Sequence, residues 1–473
     1  MKRRHFLQLG LLGTGVVGGS AFGNQLAASL VSKTLRPPKA IAIDLFDSFS
    51  SELKDAFVVG YDDPWRQYHN RGVGGGGTGI GIVDLTSDQQ SLMIELMYAG
   101  MSSESVIPNQ HYLSRESTGK SEWNPYPSII RFTNLLFCGD PHDEECQIIF
   151  SGAHLMLRIG GKNREGVAFG GPQIYGDQRG NDLQGLPGNM YKPHLDDGMD
   201  LFRALSKEQQ RTAVVEASPI QTQIEVQGKG GAYTGVPVAG VSDYAKSLVR
   251  KLINLTFKPY ASDDAAYAWK CIEHNGGLEN LHLSFYADST YEDEVLYQTY
   301  RIEGPGTVFY FRGFPHVHAF FNVAMDAENP LSLGDIVGTN PTILEGEDLQ
   351  ALFEAAMMSE RKTDFVYYPL DSAVGKIRSG TVRTGDLCVA ESWLNNEAMI
   401  AVKGSEVGGE FGNQLKARGI TVQPDRIYSV ATTDYTAKYQ LEETFGHAEF
   451  VSQGQPLRDL LVNYTGKNGF SLS

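Results

Sequence analysis

Two histidines separated by a single valine have the spacing most suggestive of chemistry in this chain. His316 and His318 lie in an apolar run that follows Pro315. Residues two apart in a β-strand point to the same face, so a strand over 316–323 is expected to bring both imidazoles together. Two imidazoles on one face can bind a single transition-metal ion, and a third ligand from another strand would complete the site.

His154 is the expected third ligand. It lies in an apolar run over 146–159 that we interpret as a strand, where an imidazole without a partner is costly to bury. Gly152, on the same face, leaves room beside it. We therefore expect these three histidines to hold one divalent transition metal, with zinc as the first choice and copper or iron as alternatives. The alternative for His154 is a core histidine bonded to the backbone.

A charged pair precedes the two histidines in the chain. Arg301 and Glu303 share one face of the strand expected over 297–303. As catalytic and substrate-binding residues, Arg301 would anchor an anionic group and Glu303 would act as a general base. A mutual or cross-strand ion pair is the alternative interpretation.

The expected metal site favours hydrolysis. An ion with three protein ligands and one open position lowers the pKa of its bound water to about 7. We expect an exported metal-dependent hydrolase that acts on a small anionic substrate, phosphorylated or nucleoside-like. A copper- or iron-dependent oxidoreductase and a periplasmic ligand-binding protein without catalysis are the two alternatives.

The elements that must position these residues indicate an α+β fold. Strands are expected over 281–286, 297–303, 307–312 and 316–323, which together predict an antiparallel meander. Thr86 with Gln89, and Ser206 with Gln209, have the spacing of capping boxes at the starts of flanking helices. His194 is expected in a loop.

The chain is expected to divide into four parts. Residues 1–30 resemble a signal peptide and 31–64 a linker and entry segment. Residues 65–340 form the β-rich domain with the histidine site, and 345–473 a smaller α/β domain. Cys138 and Cys146 flank a polar turn, where either a disulfide or two free thiols are possible.

The N-terminal segment predicts the destination of the protein. Arg3 and Arg4, followed after one residue by Phe6 and Leu7, form the pattern of a twin-arginine export signal. We expect recognition by the twin-arginine machinery, a periplasmic or extracellular location, and no stable membrane span after processing. The alternative is a chance arginine pair in a general secretory signal or membrane anchor.

The composition limits which classes of protein and of partner are possible. The chain has 473 residues, of which 41% are hydrophobic and 20% charged, and this excludes a disordered or fibrous protein. The formal net charge of −16 argues against a nucleic-acid polymer as a partner, because such binding needs a basic surface. A small-molecule substrate is a more suitable partner for this acidic chain than a nucleic-acid polymer.

Three sequence blocks in the large domain resemble the domain of unknown function 3500 family. They are Ser151-Gly-Ala-His154-Leu155, Gly170-Gly-Pro-Gln173, and Tyr300-Arg-Ile-Glu-Gly-Pro305 leading to His316-Val-His318. The resemblance covers roughly 65–340. The family has no settled activity, so the resemblance supports the site and not a reaction.

The C-terminal region resembles the 5′-nucleotidase C-terminal domain over about 345–470. The matching blocks are Val374–Arg378, Gly385–Leu387, Asn396–Val407, Tyr428–Tyr435 and Leu457–Leu461. In that family this domain binds the nucleoside, and Arg378 matches a substrate-binding arginine. The resemblance therefore implies a nucleoside-like ligand and a role in nucleotide catabolism.

Overall fold

In the computed structural model the described residues are 36–63, 66, 79–81, 85–102, 133–152, 155–161, 166–177, 191–219, 224–287, 289–291, 294–313, 317–328, 343–344, 346–360, 362–370, 377–378 and 395–468. The chain divides into two compact units, one formed mainly by Ile82–Asn340 and the other mainly by Pro341–Ser473. Each unit contains helices and strands, and the predicted α+β class is confirmed.

Seven α-helices are described before residue 340. They are α1 (Pro38–Asp47), α2 (Ser51–Phe57), α3 (Ser87–Ala99), α4 (Lys192–Ala204), α5 (Lys207–Ala213), α6 (Asp243–Phe257) and α7 (Ser262–His274). Both predicted capping boxes are present at α3 and α5, because the side chain of each cap accepts from the N3 amide and the N3 glutamine accepts from the cap amide. Ser242 caps α6 by accepting from the Ala245 amide.

The strands of the same region form one large mixed sheet and a small hairpin. The strands are β1 (Val58–Val59), β2 (Ile80–Gly81), β3 (Asn134–Cys138), β4 (Gln147–Gly152), β5 (Leu155–Gly160), β6 (Gln173–Asp177), β7 (Val214–Val215), β8 (Val236–Pro237), β9 (His282–Tyr286), β10 (Ser289–Tyr291), β11 (Glu294–Leu296), β12 (Thr299–Gly304), β13 (Thr307–Arg312) and β14 (Val317–Val323). The large sheet runs in the order β1-β3-β4-β5-β6-β14-β13-β12-β9-β7, with β8 paired to β9. The predicted meander is confirmed, since β12, β13 and β14 pair antiparallel in sequence.

The large sheet has two unlike faces. One face carries aromatic side chains that pack against α4 and α6, such as Phe311 on His194 and Phe321 on Phe257. The other face, called here the site face, mixes apolar side chains with charged and polar ones. Its apolar centre includes Tyr310, Phe320, Ile174 and Met156, covered by Ile224 and Val226. The site face holds Arg301, Glu303 and His318, three of the residues that the sequence suggested for chemistry.

The segment expected to be a linker is structured. Within residues 31–64, α1 and α2 are helical, and Ser50 caps α2 by accepting from the Leu53 amide. Phe46 of α1 packs against Phe137 of β3 with ring centroids 5.4 Å apart. These residues of the segment therefore form helices, and the apolar side of α1 covers part of the sheet.

The apolar run over 146–159 is two strands and not one. β4 and β5 pair antiparallel, with Gly152 opposite Leu155 and Gln147 opposite Gly160. A continuous apolar run does not reveal such a break, because both strands are buried and neither alternates clearly.

Cys138 and Cys146 are free thiols. Cys138 lies in the buried cluster of the site face, whereas the Cys146 thiol donates to the Gly139 carbonyl at 3.8 Å. The polar turn is closed by sheet pairing, in which Cys138 is opposite Gln147. The structure therefore favours the second of the two sequence alternatives.

The C-terminal unit is a smaller α/β arrangement. Its strands are β15 (Ile343–Leu344), β16 (Phe365–Val366), β17 (Ile377–Arg378), β18 (Asn396–Val407), β19 (Ile427–Thr433) and β20 (Gly446–Pro456), and its helices are α8 (Gly346–Glu360), α9 (Gly409–Ala417), α10 (Asp434–Tyr439), α11 (Leu441–Phe445) and α12 (Leu457–Asn468). A four-stranded sheet runs in the order β16-β19-β18-β20. One buried cluster packs α8 and α12 near Tyr368, and another packs α9 against β18 and β19.

Among the helices that the structure describes, none combines the length and the apolar character needed to cross a membrane.

Candidate functional site

The register of the sheet determines which residues meet on the site face. Directly opposite residues in neighbouring strands point to the same face. Three rows result, and they are Tyr286–Thr299–Arg312–His318–Gly176, Ser284–Arg301–Tyr310–Phe320–Ile174, and His282–Glu303–Val308–Asn322. Arg301, Glu303 and His318 therefore share one face. The alternation in the sequence predicted this for Arg301 and Glu303, and the pairing of β12, β13 and β14 adds His318.

Arg301 and Glu303 form an ion pair. Arg301 Nη2 donates to Glu303 Oε1 at 2.9 Å, and the two side chains are 13% and 2% exposed. The second carboxylate oxygen, Oε2, accepts from Gln227 Nε2 at 2.7 Å. Oε1 also accepts from the Thr234 amide at 3.3 Å. Both oxygens of Glu303 are thus satisfied by donors, which matches the ion-pair alternative considered for this sequence.

The same ion pair fixes a glycine-rich segment, residues 224–235, on the site face. Arg301 Nη2 donates to Thr234 Oγ1 at 2.7 Å. At the end of the segment, Gly235 has a φ of +86° and passes so close to β9 that an added Cβ would lie 2.1 Å from the Leu283 carbonyl oxygen. Only glycine fits this approach. The Glu303 carboxylate therefore acts as a bracket between sheet and segment.

Three hydroxyl groups surround the guanidinium of Arg301. Thr234 Oγ1 and Ser284 Oγ are 2.9 Å apart, and the Tyr286 side chain is 1% exposed beside them. Burial raises the pKa of Tyr286, and the Glu303 charge adds to this effect while Arg301 opposes it. The phenol is therefore neutral near pH 7 and serves as a hydrogen-bonding group.

His318 is the only one of the three expected metal ligands whose position is described. Its residue is 6% exposed and lies between Arg312 on β13 and Gly176 on β6. His154 and His316 lie outside the described residues.

Metal-ligating groups do not cluster within the part of the chain that the structure describes: no three His, Cys, Asp or Glu side chains are grouped there as an ion would require. Of the three expected metal ligands, His318 is the one whose position is described. Arg378, the expected nucleoside-binding residue, lies on β17, where its backbone pairs with Ile343. Its side chain lies outside the described part of the structure.

One histidine differs from the sequence expectation. His194 is in α4 and not in a loop, and it is 5% exposed on the aromatic face of the sheet. Its Nε2 is 3.2 Å from the Tyr175 hydroxyl, and its ring stacks on Phe311. Burial lowers the pKa of His194 to about 4. His282 stacks on Tyr233 with ring centroids 5.2 Å apart.

Gln227 and Thr234 were not singled out from the sequence. Both belong to a stretch of glycine and small polar residues with no periodic pattern, which predicts only a loop. Their role depends on contacts across 76 and 69 positions of sequence to Glu303. The one local signal was the glycine content, which indicates a close backbone approach.

The fold and the site together define an α+β protein whose large mixed sheet holds a polar network on one face and helices on the other. The chain belongs to the family described as Protein of unknown function (DUF3500), whose model matches residues 33–322. This match confirms the resemblance expected for the large domain. It begins within the segment that was expected to be a linker and that contains α1 and α2.

No curated protein matches the chain. The comparisons show no 5′-nucleotidase C-terminal-like domain, so that resemblance stays a prediction.

Proposed function

We propose that the large unit is an exported metal-dependent hydrolase that acts on small anionic substrates. The observation that carries this proposal is the position of His318. A buried imidazole lies on the same face of the sheet as Arg301, opposite Gly176 in the pairing of β14 with β6. An imidazole at such a site is a suitable ligand for a divalent transition metal.

In this proposal His154 and His316 supply the two other ligands. When bound, the ion would activate a water molecule at neutral pH. Arg301 would bind an anionic group of the substrate, because its guanidinium is held in place by Glu303 and Thr234 and only part of it is used in these contacts. Glu303, predicted as the general base, also positions Arg301 through their ion pair, while its carboxylate accepts from Gln227 and the Thr234 amide.

The proposal is tested by elemental analysis of protein exported natively. Wild type and a His316→Ala/His318→Ala double variant are compared with His274→Ala, which removes an exposed histidine of α7. We expect close to one zinc per chain in wild type and in the His274 control, and loss of most of it in the double variant.

Three results would contradict the hydrolase. Equal metal in wild type and the double variant would remove the site. Copper or iron with an optical or paramagnetic signal would favour the oxidoreductase instead. Absence of metal from all three proteins would favour a ligand-binding protein without catalysis.

For the C-terminal unit we propose binding of a nucleoside-like ligand. The support is the sequence resemblance over 345–470, together with two exposed aromatic rings on α10. Tyr435 and Tyr439 are 49% and 55% exposed, and their ring centroids are 5.2 Å apart. Titration calorimetry with adenosine tests this proposal: Arg378→Gln should weaken binding, and Arg418→Gln should not. Equal affinities in both variants would contradict it.

Export by the twin-arginine route is part of the same proposal. Its support is the Arg3-Arg4 pattern in the sequence. Replacing both arginines by lysine should retain the protein inside the cell, whereas replacing Lys2 by glutamine should not. Export of the double lysine variant at the wild-type level would contradict this route.

A further inference from the structure

Arg158 is a buried guanidinium whose contacts are all neutral. It lies on β5 and is 5% exposed. Its Nε donates to the Pro172 carbonyl at 3.1 Å. Its Nη1 donates to the Arg66 carbonyl at 2.6 Å and to Gln147 Oε1 at 3.0 Å. These bonds orient the planar group but leave its charge uncompensated.

The remaining nitrogen of Arg158 is unused. Nη2 is buried and has no hydrogen-bond partner among the described residues. Within that same part of the chain, no carboxylate forms an ion pair with Arg158. An amide or carbonyl acceptor on the other two nitrogens does not replace a counter-ion, since burying a lone charge is costly even when it is hydrogen bonded.

A second buried guanidinium, that of Arg66, adds positive charge near Arg158. Arg66 is 1% exposed, and its guanidinium lies 4.0 Å from the centre of the Tyr61 ring. Burial lowers the pKa of Arg158 to about 10, and the charge of Arg66 acts in the same direction. Arg158 is still protonated at neutral pH, so two cations are buried close together.

The nearby thiol cannot supply the missing negative charge. Cys138 lies in the same region of the site face, and both arginines act to lower its pKa. Burial outweighs them and raises the pKa of Cys138 to about 12. The thiol is therefore neutral when Arg158 is charged.

We propose that Arg158 holds a small tetrahedral oxyanion, such as phosphate or sulfate, through Nη2. The bound anion compensates the charge of Arg158. Guanidinium groups suit this ligand because their planar N–H donors match the oxygen spacing of phosphate and sulfate. This site is separate from the proposed metal site and does not depend on it.

The experiment measures thermal unfolding of the full chain at constant ionic strength, while chloride is replaced by inorganic phosphate and, separately, by sulfate. We expect the unfolding midpoint of wild type to rise with anion concentration and to saturate. Arg158→Met should lose the response, with apparent affinity reduced at least about tenfold. Arg203→Met is the matched control, because Arg203 is 64% exposed and pairs only with Asp200 among the described residues.

A second variant keeps the test valid if Arg158→Met does not fold. Gln147→Glu places a carboxylate at the atom that accepts from Arg158 Nη1, so it supplies an internal counter-charge and should abolish the anion response. The change also loses the bond from Gln147 Nε2 to the Gly170 carbonyl. The readout is therefore the dependence on anion and not the absolute midpoint.

Ion chromatography of denatured protein gives an independent measurement. About one phosphate or sulfate per chain should be released from wild type and from Arg203→Met, and much less from Gln147→Glu. The proposal is overturned if wild type neither releases an anion nor responds to one beyond the chloride control. It is equally overturned if the response is the same in all variants.

Discussion

Glu303 and Arg301, two positions apart on β12, form an ion pair of 2.9 Å in which the carboxylate is 2% exposed. The pair does more than neutralise two charges. Through Gln227 and Thr234, the carboxylate also ties the segment 224–235 to the sheet. This arrangement places a fixed guanidinium on the same face as His318.

Glu303→Gln tests the importance of this bracket. The variant keeps the size of the side chain but leaves the Arg301 cation without its counter-charge, so we expect a loss of about 3 kcal/mol in the free energy of unfolding. Urea denaturation measures it. The matched control is Glu279→Gln, where a 59% exposed carboxylate pairs with Lys246 and the loss should stay below about 1 kcal/mol. Similar losses in both variants would contradict a bracket role.

The buried imidazole of His194 predicts a loss of stability in acid. Its folded-state pKa of about 4 lies below the unfolded value near 6.5, so between these values the unfolded chain binds more protons. The stability contribution of the neutral ring is present above about pH 6.5 and is lost as pH falls towards 4. Over this window the cost is roughly 3 kcal/mol.

Measuring the free energy of unfolding at several pH values for wild type and His194→Gln isolates this effect. The difference in slope between pH 4 and 6.5 should disappear in the variant. His274→Gln, which changes an exposed histidine, should keep the wild-type slope. An unchanged slope in His194→Gln would show that the acid sensitivity has another origin.

Cys138 and Cys146 should behave as two free thiols that are protected in the folded protein. Cys138 is fully buried and burial raises the pKa of both thiols to about 12, so alkylation of the native protein should be slow. Denaturation without reductant should expose both to iodoacetamide, and peptide mass spectrometry would show two alkylated residues. A linked peptide carrying both cysteines would contradict the free-thiol arrangement.

The capping box at α3 should make a measurable contribution to stability. Thr86→Ala removes the acceptor for the Gln89 amide, and a loss of about 1 kcal/mol is expected. Thr86→Ser retains the acceptor and should recover most of it. If the serine and alanine variants unfold at the same denaturant concentration, the cap does not stabilise the helix.

Much of the secondary structure of the large domain could be predicted from patterns within short stretches of the sequence. The alternating strands and their tight turns predicted β12, β13 and β14, and the Thr86 and Ser206 caps predicted where α3 and α5 begin. These features depend on neighbours a few residues away, so the sequence contains the full signal. The hairpin of β4 and β5 could not be predicted in this way, because two buried strands in succession have the pattern of one apolar run.

The side-chain network around Glu303, unlike the strands and helix caps, could not be predicted from local patterns. Alternation placed Arg301 and Glu303 on one face, but it did not distinguish a catalytic pair from an ion pair. That distinction depends on Gln227 and Thr234, whose contacts with Glu303 span dozens of residues. No local pattern encodes such a contact.

By itself, then, the sequence determined the α+β class, the meander, the helix caps, the family and the shared face of Arg301 and Glu303. Each follows from periodicity, spacing or motif, which are properties of short stretches of chain. The tertiary structure alone decided that Glu303 is saturated by donors, that His194 is a buried core residue, and that Arg158 is buried without a carboxylate partner among the described residues. These facts depend on which distant segments meet, and burial and charge compensation are set only there.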